Sequence, residues 1–595
     1  MVRSRNLLRL VPFLALSPVA ADHVGSGYLP PTDLTSDDSL VSQAWQNFSS
    51  KLGDYIQARK GAGSAEEVLK TLQTDPLQLT WNITFSMNMF SIYDEKTVED
   101  LQFHHVSREL ARSKYGTRKV SGDSIYRVQS VSKAITAYAA MMHFEPEDWE
   151  RPLIKIFPEL KNATADSFPV PDWEEITPIA LAAQIAGISP AIPLFATYPL
   201  QEAAGIAQGL PPLDPKTDPI WSKIPCDISV PCGLNDANKF VQSLAVLPRV
   251  FSPWTSPNYA NTGYILFGQV FAKLLGKNAT DVIASDIFKP LGMANSRTHG
   301  LKPKELSKAV IPTEDETMAW MMYKGDGELT SPSGGVLSTT NDLAKLGISI
   351  LNNTLLTPSR TRKWMKPRSH SARLDYSIGA PWEIPRYKNP KTGVVTDIYT
   401  KAGDGFSATA MFILLPEFGV GFSLLSANEV DTVRNLVVGA IGDLLTETLI
   451  PALSEQAAVE TESKFGGTYK ATGDLDSSLT FAVNKTEGAS PGLRITNFVS
   501  NGTDVLKANP GLATRLVAVT SEGDQVTMEA LTEIDAPNLP SLFVNSFNGA
   551  DWIVAGGSPW GGIQQGLFVF DVDESGNAKD VKPLAYRAKL ERQKE

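Results

Sequence analysis

Apolar positions change period several times along this chain, and each change predicts an element. A helical face runs from Leu40 to Ala58 after a Gly/Pro/Asp-rich leader, and two apolar runs, Thr80 to Tyr93 and Leu101 to Val106, read as sheet strands. Between Ser124 and Ser130, Ile125, Arg127 and Gln129 alternate with Tyr126, Val128 and Ser130. From Lys133 to His143 the residues are helix formers with no Gly or Pro. Further helices are expected over Gly263 to Gly292, Asp342 to Asn352 and Val430 to Leu449, and a strand, Gly-rich turn and strand over IYTKAGDGFSATAMFILLP. From residue 465 to about 590 the pattern becomes short alternating runs such as LTFAVN, LRITNFV and GLFVFDV. The predicted architecture is an α/β (α+β) domain over residues 22–455, with an antiparallel sheet flanked by helices plus a helical subdomain. A small antiparallel, barrel-like β domain follows over residues 465–590. Pro190 to Phe251, rich in Pro, Asp and Gly, breaks the pattern; it reads as an insertion at about residues 190–250 that borders whatever site follows it.

Bulk properties narrow the classes. The 595 residues carry a net charge of -11, and no basic block interrupts it, which argues against a nucleic-acid-binding surface. Six histidines show no zinc-type clustering; His104 and His105 are adjacent and would face opposite sides of a strand. Residues 1–21 read as a secretory signal: Arg3, Arg5 and Arg9 precede an apolar run from Leu10 to Val19, and Val19-Ala20-Ala21 offers small residues for cleavage. No later stretch reads as long and apolar enough to span a membrane. Seven Asn-x-Ser/Thr sequons, at Asn47, Asn82, Asn162, Asn278, Asn352, Asn484 and Asn501, fit an exported glycoprotein. The two cysteines, Cys226 and Cys232, lie in a Pro-rich loop where an oxidising compartment would join them as a disulfide.

The candidate chemistry begins at Ser130, in the only Ser-x-x-Lys of the chain. If Ser130 opens a helix, Lys133 lies one turn along on the same face, so its amine reaches the hydroxyl. A serine hydroxyl needs a positioned base at neutral pH, and the helix N-terminus favours developing negative charge. A capping serine followed by a solvated lysine is the bland alternative. Two further polar clusters weigh against it: Tyr259-Ala260-Asn261, where a turn-rich approach enters a helical pattern, and Lys401-Ala402-Gly403, between two predicted strands. No Gly-x-Ser-x-Gly elbow occurs, since GGSPWGG around Ser558 fails at its last position.

With these three clusters in this order, the sequence resembles the serine β-lactamase and penicillin-binding-protein superfamily, in its class C-like branch, across roughly Asn82 to Leu449. WERPLIKIFPEL (Trp149 to Leu160), ITPIALAAQIAGIS (Ile176 to Ser189) and SGGVLSTTNDLAKLG (Ser333 to Gly347) also resemble segments of that branch, whose fungal-type secreted members include some with a C-terminal β domain. The resemblance implies a β-lactamase/transpeptidase-like fold, no cofactor or metal, and a small-molecule ester, amide or lactam substrate. It implies Ser130 as nucleophile, Lys133 and Tyr259 as shared general base, and Tyr259 as the acid that protonates the leaving group. Asn261 would hold the substrate amide or Lys133, and the N–H groups of Ser130 and of Asp404, the residue after Lys401-x-Gly403, would form an oxyanion hole. A second ammonium at Lys401 would make Lys133 easier to keep neutral. The third motif departs from the β-lactamase pattern, because Ala402 stands where a threonine hydroxyl helps bind a substrate carboxylate. The reading is a secreted serine hydrolase. An acyltransferase acting on a small natural product and an acylated sensor without turnover share the same chemistry.

Overall fold

The computed structural model describes residues 27–594 apart from 62, 163–167, 191–197, 215, 219, 221, 224–235, 325–326, 406, 487 and 532–556. Residues 1–21 and Cys226 and Cys232 therefore lie outside the described residues. The chain divides into two compact units, one of residues 32–387 and 397–453, the other of residues 27–31, 388–396 and 454–594.

The larger unit is built on an antiparallel sheet. Eight of its strands are β1 (Thr84–Ser91), β2 (Gln102–His105), β3 (Ser369–His370), β4 (Tyr376–Ile378), β5 (Glu383–Lys388), β6 (Tyr399–Gly405), β7 (Ala408–Leu415) and β8 (Val420–Ala427), in the order β2-β1-β8-β7-β6-β5-β4-β3. Strands β1, β7 and β8 are buried almost throughout, polar positions such as Ser86 and Asn88 included, because both faces of the sheet are covered. Alternate residues enter different cores: Ala410, Phe412 and Leu414 join one, and Ile413 and Leu415 the other.

Five helices matter for the site: α1 (Leu40–Ala58), α2 (Ser132–His143), α3 (Asn261–Leu275), α4 (Thr340–Leu351) and α5 (Asp431–Phe465). On one face, α1 and the first part of α5 bury Trp45, Phe48 and Leu52 with Val437, Ile441 and Leu445 against the sheet. The Ser39 hydroxyl caps α1 by accepting from the N–H groups of Val41 and Ser42. On the other face, α2, α3 and α4 contribute Ile135, Tyr138, Phe267, Phe271, Leu343 and Leu346 to the core of the helical subdomain.

Several boundaries differ from expectation. The Thr80 to Tyr93 run begins as a short 3-10 helix, Pro76–Asn82, before β1. The Gly263 to Gly292 stretch breaks at Gly276, which takes φ 65° as a left-handed cap. A shorter helix, Ala279–Val282, then runs into a π-turn over Ile283–Phe288. The supposed insertion is not wholly a surface excursion, since it holds helices Tyr198–Ala207 and Ala237–Ala245, and the latter buries Phe240, Val241 and Leu244 in the core. The last helix does not stop at Leu449 but continues through Pro451 to Phe465. This corrects the reading that no later stretch could span a membrane: Thr432–Phe465 is long and apolar enough by length and composition. Half of its most apolar window is buried within the protein, where Val437, Ile441, Leu445 and Leu449 face the sheet core.

In the smaller unit, antiparallel strands from Gly467–Ala471 to Leu590–Arg592 form one sheet in which Ser478–Val483, at one end, also pairs with Leu493–Ser500 near the other. That pairing closes the sheet into a barrel around Tyr469, Phe481, Phe498, Phe568 and Phe570.

Candidate active site

Tyr126 and Arg127 form a two-residue strand paired with Leu337 and Ser338, and Val128 donates to the Val336 carbonyl at 3.1 Å. Gln129 then turns into the left-handed region, φ 49°, and a single 3-10 turn over Gln129–Val131 delivers Ser130 immediately before α2. The Gln129 side-chain amide donates to the Gly405 carbonyl, and Ser132 Oγ donates to the Gln129 carbonyl at 2.6 Å, so both ends of the turn are tied. Ser130 therefore precedes the α-helix by one short turn rather than opening it.

Lys133, in the first turn of α2, is fully buried. Its Nζ lies 2.9 Å from Ser130 Oγ, 2.7 Å from Asn261 Oδ1, 2.7 Å from the Ser333 carbonyl and 3.2 Å from Ser333 Oγ. Burial, and then the charge of Lys401, push its pKa well below the ordinary lysine value, against a smaller opposing pull from Glu383. A neutral amine has two N–H donors and one lone pair. With Asn261 Oδ1 and the Ser333 carbonyl accepting two donors, a neutral Lys133 would turn its lone pair towards the Ser130 hydroxyl.

Tyr259 approaches from the opposite side, its hydroxyl donating to Ser130 Oγ at 2.6 Å. The phenol ring has Lys133 Nζ 4.9 Å and Lys401 Nζ 5.2 Å from its centroid, and the residue is 44 % exposed, so it forms a wall of the open site. The Ile176 to Ser189 segment holds this cluster: Gln184 Oε1 accepts from Ala260 N at 2.8 Å, the Gln184 carbonyl from Asn258 N at 2.7 Å, and Asn258 Nδ2 donates to the Ile188 carbonyl at 2.7 Å. Asn261 begins α3, which aims its amide oxygen at Lys133.

The third cluster lies within strand β6 rather than at its turn. Gly403 abuts Ser130: a Cβ there would stand 2.4 Å from the Val128 carbonyl oxygen and 2.7 Å from Ser130 N. Only glycine permits this approach. The Ala402 N–H donates to Glu383 Oε2 at 2.8 Å, away from the β7 partner strand, and strand alternation turns the Asp404 N–H to that same edge. The Asp404 side chain is held by three donors. It accepts from Arg434 Nη2 at 2.9 Å, Thr409 Oγ1 at 2.5 Å and Asn435 Nδ2 at 3.1 Å. Lys401, 1 % exposed, donates to the Glu383 carboxylate and, at 2.6 Å, to the Ala402 carbonyl.

Ser130, Lys133, Tyr259, Asn261, Lys401, Gly403 and Asp404 thus converge. Ser333 and Glu383 complete the cluster and were not assigned from sequence. Ser333 opens the SGG segment that resembles the family, a usable signal, whereas Glu383 in PWEIP sits in no recognisable spacing. Of the sequons, Asn47, Asn278, Asn352, Asn484 and Asn501 are exposed and Asn82 is half-buried; the Asn162 side chain lies outside the described residues.

Residues 86–437 match the Beta-lactamase family. The chain belongs to it. Residues 457–594 match a second family, described as Beta-lactamase-like-like, C-terminal domain. A Beta-lactamase-like protein of Arthroderma benhamiae is 27% identical over 523 residues, covering 84% of this chain and 79% of the relative. Probable hydrolase clz13 of Cochliobolus lunatus is 24% identical, covering 69% of this chain and 66% of its own. Among solved structures, a D-amino acid amidase from Ochrobactrum anthropi SV3 aligns at TM-score 0.43 and 16% identity, covering 68% of this chain and 99% of that one. Membership of the β-lactamase family, with relatives named as hydrolases, supports a hydrolase.

Proposed function

We propose that this β-lactamase family member is an exported serine hydrolase that cleaves an ester, amide or lactam through an acyl-Ser130 intermediate. One observation carries the reading: Ser130 Oγ lies within hydrogen-bond distance of both a buried lysine amine and a tyrosine hydroxyl. Lys133, kept neutral by its surroundings, accepts the Ser130 proton as Oγ bonds to the substrate carbonyl carbon. The resulting oxyanion lies against the N–H groups of Ser130 and Asp404. As the tetrahedral species collapses, Tyr259 protonates the departing oxygen or nitrogen and draws a proton back through Lys133. Water then attacks the acyl ester by the same route in reverse. Asn261 and Ser333 orient the Lys133 lone pair throughout. Export is supported by residues 1–21 and the exposed sequons.

The test uses the protein recovered from culture medium and its Ser130→Ala variant. A serine-directed fluorophosphonate and a p-nitrophenyl ester are expected to label and turn over with the wild type only. Labelling of the variant at the wild-type rate would remove Ser130 from its role. Turnover accelerated by added alcohol would point to an acyltransferase, and a labelling burst without turnover to an acylated sensor. A chain retained in the cell, or one unchanged in mobility by N-glycosidase, would count against export and glycosylation.

A further inference from the structure

Two cations meet at strand β6, and each is already matched by an acidic side chain of the protein. Lys401, nearly buried and 5.2 Å from the Tyr259 ring, is bound to Glu383. Arg434, fully buried, reaches the same strand three residues on, where it is bound to Asp404. The Glu383 carboxylate is doubly engaged, Oε1 by Lys401 and Oε2 by the Ala402 N–H, so it is held against the edge that a substrate's backbone would use. A substrate carboxylate arriving at Lys401 would have to displace a preorganised internal one and then sit beside it. Ala402 adds no hydroxyl to assist.

Resting on the acyl-serine reading above, we propose that Glu383 is the specificity-determining residue of this site, occupying the Lys401 ammonium so that the enzyme selects acyl donors that carry no carboxylate beside the scissile carbonyl. The favoured class is neutral esters and amides. Glu383 acts through Lys401 and takes no part in the proton transfers.

Two phosphonofluoridates test this, identical except that one ends a short arm in a carboxylate and the other in its methyl ester. Each forms a Ser130 Oγ–P bond with loss of fluoride and a proton, so rates are read without any turnover. Wild type is expected to react about tenfold faster with the methyl ester, the loss of one charged hydrogen-bond partner setting the scale. In Glu383→Gln the ratio is expected to fall towards one or invert, through acceleration of the anionic probe, a change that loss of packing alone would not produce. The inference fails if the wild type reacts as fast with the anionic probe as with its ester, a result that needs no variant to fold. It also fails if Glu383→Gln still labels at Ser130 with the wild-type ratio. Absence of Ser130 labelling by both probes would instead overturn the acyl-serine reading on which it rests.

Discussion

At the scale of single residues, burial sets the chemistry more than spacing does. The Ser-x-x-Lys spacing places an amine near a hydroxyl, but an exposed lysine would stay protonated and could not accept a proton. Burial of Lys133 on α2, reinforced by the charge of Lys401, holds its pKa well below the ordinary lysine value. The same physics acts at Glu109, outside the site. Burial first, and then the neighbouring Glu429, raise its pKa from 4.5 to about 7, while Oε2 accepts from Asn428 Nδ2 at 3.0 Å. The folded chain therefore binds an extra proton between pH 4.5 and about 7. The stability Glu109 lends is complete below pH 4.5 and is lost as pH rises through about 7. Glu109→Gln keeps the acceptor and removes the charge. We expect it to stabilise the protein by about 1 to 2 kcal/mol at pH 8, a figure reduced for partial solvent exposure, and by little at pH 4. Urea denaturation at the two pH values checks the difference; an equal effect at both would contradict it.

Among elements, α5 does more than close the fold. Arg434 in its first turn is fully buried, donates to Thr409 Oγ1 at 2.7 Å and to the Asn428 carbonyl, and fixes the Asp404 carboxylate at the end of β6. Arg434→Ala leaves that carboxylate without its charged partner and opens a cavity. A loss of about 3 to 5 kcal/mol is expected by chemical denaturation, and a change below about 1 kcal/mol would show the pair to be incidental. The helix also shows where sequence reading stops. The expected helix ended at Leu449, yet it runs on through Pro451, because burial of Ile450 and Leu453 outweighs the hydrogen bond that proline removes. Ser130, Lys133, Tyr259, Asn261 and Lys401 were legible because they fall in three short polar clusters whose order and spacing resemble the family's. Glu383 was not, because it reaches Lys401 only by lying on the neighbouring strand β5, and strand neighbours leave no mark on linear spacing. The Ala237–Ala245 helix was hidden inside a Pro-rich surround that masked its Phe240, Val241 and Leu244 face.

Over the whole larger unit, the site is a junction between sheet and helical subdomain. Ser130, Lys133, Tyr259 and Asn261 come from the helical side, while Lys401, Gly403 and Asp404 come from the sheet. At Gly403 the two meet backbone against backbone. Gly403→Ala would drive a methyl group into the Val128 carbonyl and Ser130 N, neither of which can rotate away. We expect the fluorophosphonate labelling rate to fall by about 10²-fold, as for a reacting group displaced by about 1 Å. Stability should fall by only about 1 to 3 kcal/mol. Unchanged labelling would show that the two halves need not touch there.

The left-handed backbone at Gln129 has a consequence for anyone selecting hardier variants of this enzyme. A non-glycine residue with φ 49° is held uphill, here by its own side-chain amide donating to the Gly405 carbonyl. Relaxing that bend is an easy route to heat tolerance, and it is the bend that aims the serine. Screens that reward survival at high temperature without also rewarding turnover should therefore enrich robust, silent proteins altered at this one position.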